Sequence, residues 1–155
     1  GSRYYYYPPD NALATSGTSI LMSENSSISW GQLTLNSTSL SGYSQQTLNS
    51  FFAPLSPYGQ VFDPRVVYDS VNNRYIVIAD ETNTSHSKSN ILVAVSKTSN
   101  PADGFYFESI NSHISVGRQG TWADYPTLAF DGSHIVFQRI NLPPQASIRA
   151  ATSTR

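Results

Sequence analysis

The chain has 155 residues, enough for one domain with a sizeable core, and 12% of them are charged, against about 25% in an average domain. A net charge of −1 provides no basic surface for a phosphate backbone, so no nucleic-acid partner is expected, and the absence of cysteine excludes thiol catalysis and disulfides. No apolar run reaches the roughly 18 residues that a membrane-spanning helix needs. Abundant Tyr, Thr and Val with little Glu, Lys and Ala predicts an all-β fold of short strands.

Residues 1–9 form a tyrosine-rich N-terminal segment in which a run of tyrosines precedes Pro8 and Pro9. Tyrosine combines an apolar body with a polar tip, which suits contacts with proteins or sugars. The segment therefore supplies candidate interface residues, in a strand lent to a neighbouring copy, and a terminal edge strand or tail is the alternative. The candidates are Tyr4, Tyr5, Tyr6 and Tyr7.

Residues 10–60 carry a weak version of a pattern that is clearer further along the chain. Pro9 to Ala14 and Ser19 to Glu24 predict two strands separated by a turn. Ser27 to Trp30 and Gln32 to Leu35 are the expected outer strands of the same unit. This region is predicted to be a degenerate first blade of a repeated β-structure.

Residues 61–122 show the pattern completely. Four apolar or alternating runs are separated by turns rich in Asn, Asp, Pro and Gly, which predicts an antiparallel four-stranded meander between Pro64 and Ile110. Its second to fourth strands are expected at Arg74 to Asp80, Asn90 to Lys97 and Phe105 to Ile110.

The beginning of this unit recurs in residues 123–155, a predicted partial third blade with a C-terminal tail. Pro126 to Asp131 repeats Pro64 to Asp69 with proline, aliphatic, aromatic and aspartate residues in register. His134 to Arg139 then matches Arg74 to Asp80 after a shorter turn. A repeat of this length with four strands per unit is typical of propeller blades.

Three stretches, FDPRVVYDSVNNRYIVIA, ILVAVSKTSNPADGFYFESI and TWADYPTLAFDGSHIVF, resemble the blade repeats of secreted and cell-surface bacterial β-propeller proteins. The resemblance implies antiparallel four-stranded meanders in a partial β-propeller, with a β-sandwich as the alternative, and an extracellular or cell-surface location. About two and a half blades are present, whereas propellers close with about four to eight. Either the chain is a fragment, or copies associate into a ring or stack, or another packing closes the core.

The candidate binding residues lie where the repeated strands begin, because loop aromatics and aspartates around blade ends suit a carbohydrate. They are Asp63, Trp122, Asp124 and Tyr125. Converging aspartate oxygens at Asp63, Asp69, Asp124 and Asp131 would also suit calcium binding or acid–base chemistry. The favoured interpretation is that these aspartates only shape turns, most clearly Asp69 and Asp131, which recur with the repeat.

No catalytic residue, cofactor or metal site is predicted. His86, His113 and His134 lack metal-ligand spacing and are expected in solvated or turn positions, and no EF-hand loop or G-x-S-x-G elbow occurs. The stretch Ser115 to Trp122 resembles the Asp-box of sialidase-like propellers, but Gly117 stands where its aspartate belongs.

Three functions follow from these observations. The first is a non-catalytic extracellular binding and assembly module that forms homo-oligomers. The second is a propeller that binds or cleaves a glycan, and the third is an inactive fragment of a larger or engineered propeller.

Overall fold

The protein consists of antiparallel β-sheets joined by short turns, as its composition predicts. The computed structural model describes residues 10–34, 36–116 and 119–143. It contains two four-stranded sheets and two two-stranded sheets, and the predicted all-β fold is confirmed. Among these residues no helix is both long and apolar enough to cross a membrane. Tyr4 to Tyr7 lie outside the described residues.

Sheet 1 is a four-stranded meander, which corrects part of the expectation for this region. The predicted outer strands Ser27 to Trp30 and Gln32 to Leu35 are not separate, because one strand runs through Gly31 with a register shift there. A Cβ atom at Gly31 would lie 2.9 Å from the Cβ atom of Leu40 on the next strand, so the glycine permits this close pairing. The strands are β1 (Ala12–Thr15), β2 (Ser19–Glu24), β3 (Ser27–Leu33) and β4 (Leu40–Thr47).

A short helical connection follows sheet 1 and supplies aromatic side chains to the core. Helix α1 (Leu48–Phe51) begins after Thr47, whose side chain accepts a hydrogen bond from the Ser50 backbone N–H. A 3₁₀ turn at Ala53–Leu55 completes the connection.

Sheet 2 is the complete meander that the sequence predicts between Pro64 and Ile110. Its strands are β5 (Gln60–Asp69), β6 (Arg74–Thr82), β7 (Ser89–Ser96) and β8 (Phe105–Asn111), paired in that order. At the β5–β6 turn, Asp69 Oδ1 accepts hydrogen bonds from the backbone N–H groups of Val71 (2.9 Å) and Asn72 (3.1 Å). These bonds confirm the turn role predicted for Asp69.

Sheet 3 repeats the first strand pair of sheet 2. After a small hairpin of β9 (Ser115–Val116) and β10 (Gln119–Gly120), strands β11 (Trp122–Phe130) and β12 (Ile135–Leu142) pair with each other. Asp131 Oδ1 accepts hydrogen bonds from the backbone N–H groups of Ser133 (2.9 Å) and His134 (2.8 Å), which confirms its predicted turn role as well.

Both copies of the repeated strand carry a bulge near their beginning. The register shifts between Phe62 and Arg65 on β5, and between Asp124 and Thr127 on β11. Asp63 (φ 50°) and Tyr125 (φ 52°) adopt left-handed backbone conformations at these bulges, each directly before a proline. Proline cannot donate to the ladder, so a bulge is the position that tolerates it within a strand.

The core lies on both faces of sheet 2. One face packs against sheet 1 and helix α1, and the other packs against sheet 3. Every residue of β6 from Tyr75 to Thr82 is buried, because alternate side chains enter opposite clusters. Val77 belongs to the cluster shared with sheet 1, whereas Ile78 belongs to the cluster shared with sheet 3.

The first strands of the sheets are neighbours, with β1 beside β5 and β5 beside β11. The beginnings of β5 and β11 and the end of β6 consequently meet at one end of the sheets. The predicted divisions at residues 10–60, 61–122 and 123–155 remain predictions, as does the arrangement of the sheets as a propeller.

Replacing Ile78 by alanine is expected to lower the free energy of unfolding by about 2–5 kcal/mol. Its side chain is completely buried between sheets 2 and 3, so truncation leaves a cavity. Urea denaturation measures the change. The control is Val71→Ala in the exposed β5–β6 turn, expected to change stability by less than about 0.5 kcal/mol. Equal effects of the two variants would contradict the burial of this face.

Candidate functional site

Three carboxylates meet where β5 and β11 begin and β6 ends. They belong to Asp63, Asp80 and Asp124, and one oxygen from each lies within 4.8 Å of the others. Two of these residues, Asp63 and Asp124, were candidates from the sequence, whereas Asp80 was not. We call this group the carboxylate cluster.

The bulges and the strand alternation place these side chains. Asp63 occupies the left-handed position of the β5 bulge, and Asp124 directly precedes the equivalent position of β11. Asp80 lies opposite Phe62 in the ladder, on the same side of β6 as Ile78. Alternation therefore directs the Asp80 side chain towards sheet 3.

Burial and mutual repulsion dominate the electrostatics of the cluster. Desolvation, followed by the charges of Asp63 and Asp124, raises the pKa of Asp80 to about 8, against weaker opposing effects of Arg139 and Arg65. Desolvation, followed by the charges of Asp124 and Asp10, raises the pKa of Asp63 to about 6. The carboxyl groups of Asp63 and Asp124 are also close enough to share a hydrogen bond, which requires a proton on one of them.

Asp80 differs from the other buried carboxylates in having no hydrogen-bond donor. Its side chain is completely buried, and neither oxygen has a partner among the described residues. Its neighbour Glu81 is equally buried, but Glu81 accepts hydrogen bonds from the Tyr58 backbone N–H (2.6 Å) and the Asn90 side chain (3.0 Å). Buried carboxylates in this fold are thus normally paired, and Asp80 is an exception that needs a cause.

A pocket of about 230 Å³ adjoins the cluster and shares Asp63 with it. The Trp122 ring stacks on His86 with centroids 4.5 Å apart and contacts Phe62 with centroids 6.0 Å apart. The pocket thus combines an aromatic wall with polar groups. Its polar lining residues, besides His86, are Asn25, Gln60, Asp63 and Thr82.

The structure brings together most of the candidates predicted from sequence. Asp63 and Trp122 line the pocket, and Asp124 belongs to the carboxylate cluster. Tyr125 is 52% exposed beside them, with the Arg65 guanidinium 4.8 Å from its ring centroid. Their role in binding remains a prediction.

Two residues of this region were not identified from the sequence as site residues. His86 lies in a turn, as expected, with its backbone N–H bonded to the Asn83 carbonyl (2.9 Å). Its ring also stacks on Trp122, and its Nδ1 lies 3.2 Å from Thr82 Oγ1, which the sequence did not indicate. Asp80 was assigned only to the end of a strand. One sequence feature could have identified Asp80, because this acidic residue directly follows the apolar run Tyr75 to Ala79 on the same strand. A charge in such a buried strand is costly unless it has a partner.

Comparisons of the chain with protein-family models, with curated proteins and with solved structures give no match. The fold and the carboxylate cluster therefore define the class: an all-β protein of antiparallel sheets with an acidic cluster at one end.

Without metal ions, the unfolding free energy is expected to fall as pH rises from about 5 to 8. In the folded state the pKa of Asp80 is about 8, whereas its ordinary pKa, which applies to the unfolded chain, is 3.8. Between these two values the folded state binds more protons than the unfolded state, so raising the pH favours unfolding. Melting temperatures measured in EDTA at successive pH values test this.

The variant Asp80→Asn should flatten that dependence. The control Asp131→Asn changes an exposed carboxylate whose pKa is lowered by backbone hydrogen bonds from Ser133 and His134, so it should retain the slope. A wild-type melting temperature that rises over this range would contradict the assigned electrostatics.

Proposed function

We propose that this chain is a non-catalytic binding and assembly module built from propeller-type blades, and that copies associate through the outer faces of sheets 1 and 3. The supporting observation is that both outer faces expose large apolar side chains. Leu13 on sheet 1 is 62% exposed, and Val136 and Ile140 on sheet 3 are 60% and 54% exposed. Apolar residues grouped on one face, unlike isolated ones, are typical of an interaction surface.

The alternation of each strand supports these assignments. Ala14 and Leu21 enter the core that sheet 1 shares with sheet 2, so Leu13 and its ladder partner Met22 lie on the opposite face. Phe137 packs towards sheet 2, so Val136 lies on the outer face of sheet 3. The two exposed faces are therefore at opposite ends of the stacked sheets.

Faces at opposite ends favour a head-to-tail contact, in which sheet 1 of one copy packs against sheet 3 of the next. Such a contact either closes into a ring or continues as an open stack. Two copies of sheets 1, 2 and 3 supply six sheets, within the roughly four to eight blades of closed propellers. A closed dimer is the smallest assembly that covers both faces.

Light scattering after gel filtration should give about 34 kDa, twice the chain mass of 17.0 kDa, or a larger multiple. The variants Val136→Asp and Ile140→Asp should shift the mass towards 17.0 kDa, because burial of an unpaired charge opposes association. The control Val71→Asp changes an exposed valine in the β5–β6 turn and should leave the oligomer intact. A wild-type monomer at tens of micromolar contradicts the proposal.

The tyrosines at positions 4–7 remain predicted interface residues. Removal of residues 1–9 distinguishes their contribution from that of the outer faces. An unchanged oligomer after this deletion would show that assembly does not need them. The extracellular or cell-surface location also remains a prediction that rests on the resemblance to bacterial propellers.

The pocket at Trp122 supports a second candidate function, the binding of a glycan. Sugars present apolar C–H faces that pack on aromatic rings, and hydroxyl groups that bond to amides and carboxylates. The pocket offers the Trp122 and Phe62 rings together with Gln60, Asp63 and Asn25. Sites for small ligands typically combine an aromatic wall with a small number of polar groups.

A glycan array followed by calorimetry tests this candidate. Trp122→Ala should weaken binding of any captured glycan at least about tenfold, equivalent to about 1.4 kcal/mol, because the aromatic wall is lost. The control Tyr106→Ala removes an exposed aromatic ring on β8 and should leave the affinity unchanged. If the array captures no glycan, the chain does not bind glycans in this pocket. If the chain also remains a monomer, the alternative of an inactive propeller fragment is favoured.

A further inference from the structure

The carboxylate cluster concentrates negative charge in a partly desolvated site. Asp63 and Asp80 are buried, Asp124 is half-buried, and their oxygens lie within 4.8 Å of one another. Like charges at this separation repel strongly wherever water is excluded. The cluster therefore requires either protons or a cation, and the surroundings of Asp80 distinguish these possibilities.

Asp80 is directed into the cluster with both carboxylate oxygens unpartnered among the described residues. A carboxylate kept only for structure would resemble Glu81, whose oxygens each accept a hydrogen bond. Leaving two acceptor atoms unpaired in the interior carries a desolvation penalty, which is larger when the group is charged. A ligand that neutralises the charge and contacts these oxygens would remove the penalty.

The nearby arginines stabilise the Asp80 charge only weakly, and neither donates a hydrogen bond to its carboxylate oxygens. Arg65 donates to the Pro64 carbonyl (3.1 Å) and lies over the Tyr125 ring, and Arg139 donates to the Ser112 carbonyl (3.4 Å). Neither forms an ion pair with the cluster, and the ion pair found within the described part of the chain joins His134 and Asp131.

We propose that Asp63, Asp80 and Asp124 bind a calcium ion between β5, β6 and β11. An all-carboxylate set suits a hard cation and offers no nitrogen or sulfur ligand for zinc or copper. Ca²⁺ binds oxygens at about 2.3–2.6 Å, so oxygens on opposite sides of the ion are about 4.6–5.2 Å apart. The observed limit of 4.8 Å between the three oxygens is compatible with this range.

Magnesium is the less suitable ion for this site. Mg²⁺ needs near-octahedral geometry at about 2.0–2.1 Å and retains several waters. A completely buried carboxylate such as Asp80 leaves little space for that hydration shell. Ca²⁺ accepts irregular geometry and about 6–8 oxygen ligands, so water or backbone carbonyl groups would complete its coordination beside the half-buried Asp124.

The site depends neither on assembly nor on glycan binding, although Asp63 is shared with the pocket. Calcium binding is therefore measured without any glycan. Calorimetry with CaCl₂ in chelator-treated buffer should show one site with a Kd at or below about 1 mM. Calcium should also raise the melting temperature, and EGTA should reverse the increase.

The variant Asp80→Asn gives the sharpest test, because a metal role and a structural role predict opposite results. Without calcium, the variant should melt at a higher temperature than wild type at pH 8, since a buried, unpaired carboxylate is removed. With calcium, it should lose the ion-dependent increase and bind at least about tenfold more weakly. Asp131→Asn, which changes an exposed aspartate outside the cluster, should behave as wild type.

Terbium luminescence gives an independent readout. Tb³⁺ replaces Ca²⁺ at oxygen sites and emits when a nearby tryptophan is excited. Trp122 is two residues from Asp124 and shares the pocket with Asp63, so excitation should sensitise emission that calcium displaces. Asp124→Asn should reduce this emission, whereas Asp131→Asn, outside the cluster, should leave it unchanged.

Three results would overturn the proposal. One is that about 10 mM calcium, which exceeds the Kd values of extracellular calcium modules, produces neither heat of binding in calorimetry nor an increase in melting temperature. Another is calcium binding that is unchanged in both Asp80→Asn and Asp124→Asn. Equal stabilisation by magnesium at the same concentration would overturn the assignment to calcium. If circular dichroism shows that Asp80→Asn is unfolded, the half-buried Asp124→Asn decides the question.

Discussion

Burial of both faces of sheet 2 is the constraint on which the rest of the structure depends. Strand β6 runs through the centre of the described chain with residues Tyr75 to Thr82 all buried. Its residues Tyr75, Val77 and Ala79 pack towards sheet 1, whereas Ile78 packs towards sheet 3. Neither outer sheet could retain its position without this central layer, because each buries its inner face against it.

The same constraint creates the acidic site. A strand buried on both faces has no solvent side, so the acidic residues at its end, Asp80 and Glu81, enter the interior on opposite faces. Glu81 meets donors from Tyr58 and Asn90. Asp80 meets two further carboxylates instead, and the cost of that encounter is what the proposed calcium ion would offset.

The repeated bulges connect the architecture with the site. Asp63 and Tyr125 occupy equivalent left-handed positions before Pro64 and Pro126, at the register shifts of β5 and β11. Backbone strain of this kind is common where side chains must be re-aimed for function. The pocket and the carboxylate cluster both begin at these bulges, so one repeated local feature positions two adjacent surfaces.

The sequence by itself determined the strands of sheet 2 and the turns at Asp69 and Asp131, because alternation and Asx hydrogen bonds act between residues close in the chain. The sequence pattern predicted two strands separated at Gly31, but a single strand runs through this residue. Gly31 allows the strand to approach Leu40 closely, and that contact between two strands has no local sequence pattern. Asp63 and Trp122 were recognisable as candidates from residue type and position. Only the tertiary structure decided that Asp80 joins Asp63 and Asp124, because their proximity comes from the packing of β6 against β11, and such contacts between distant segments leave no periodic signal in the sequence.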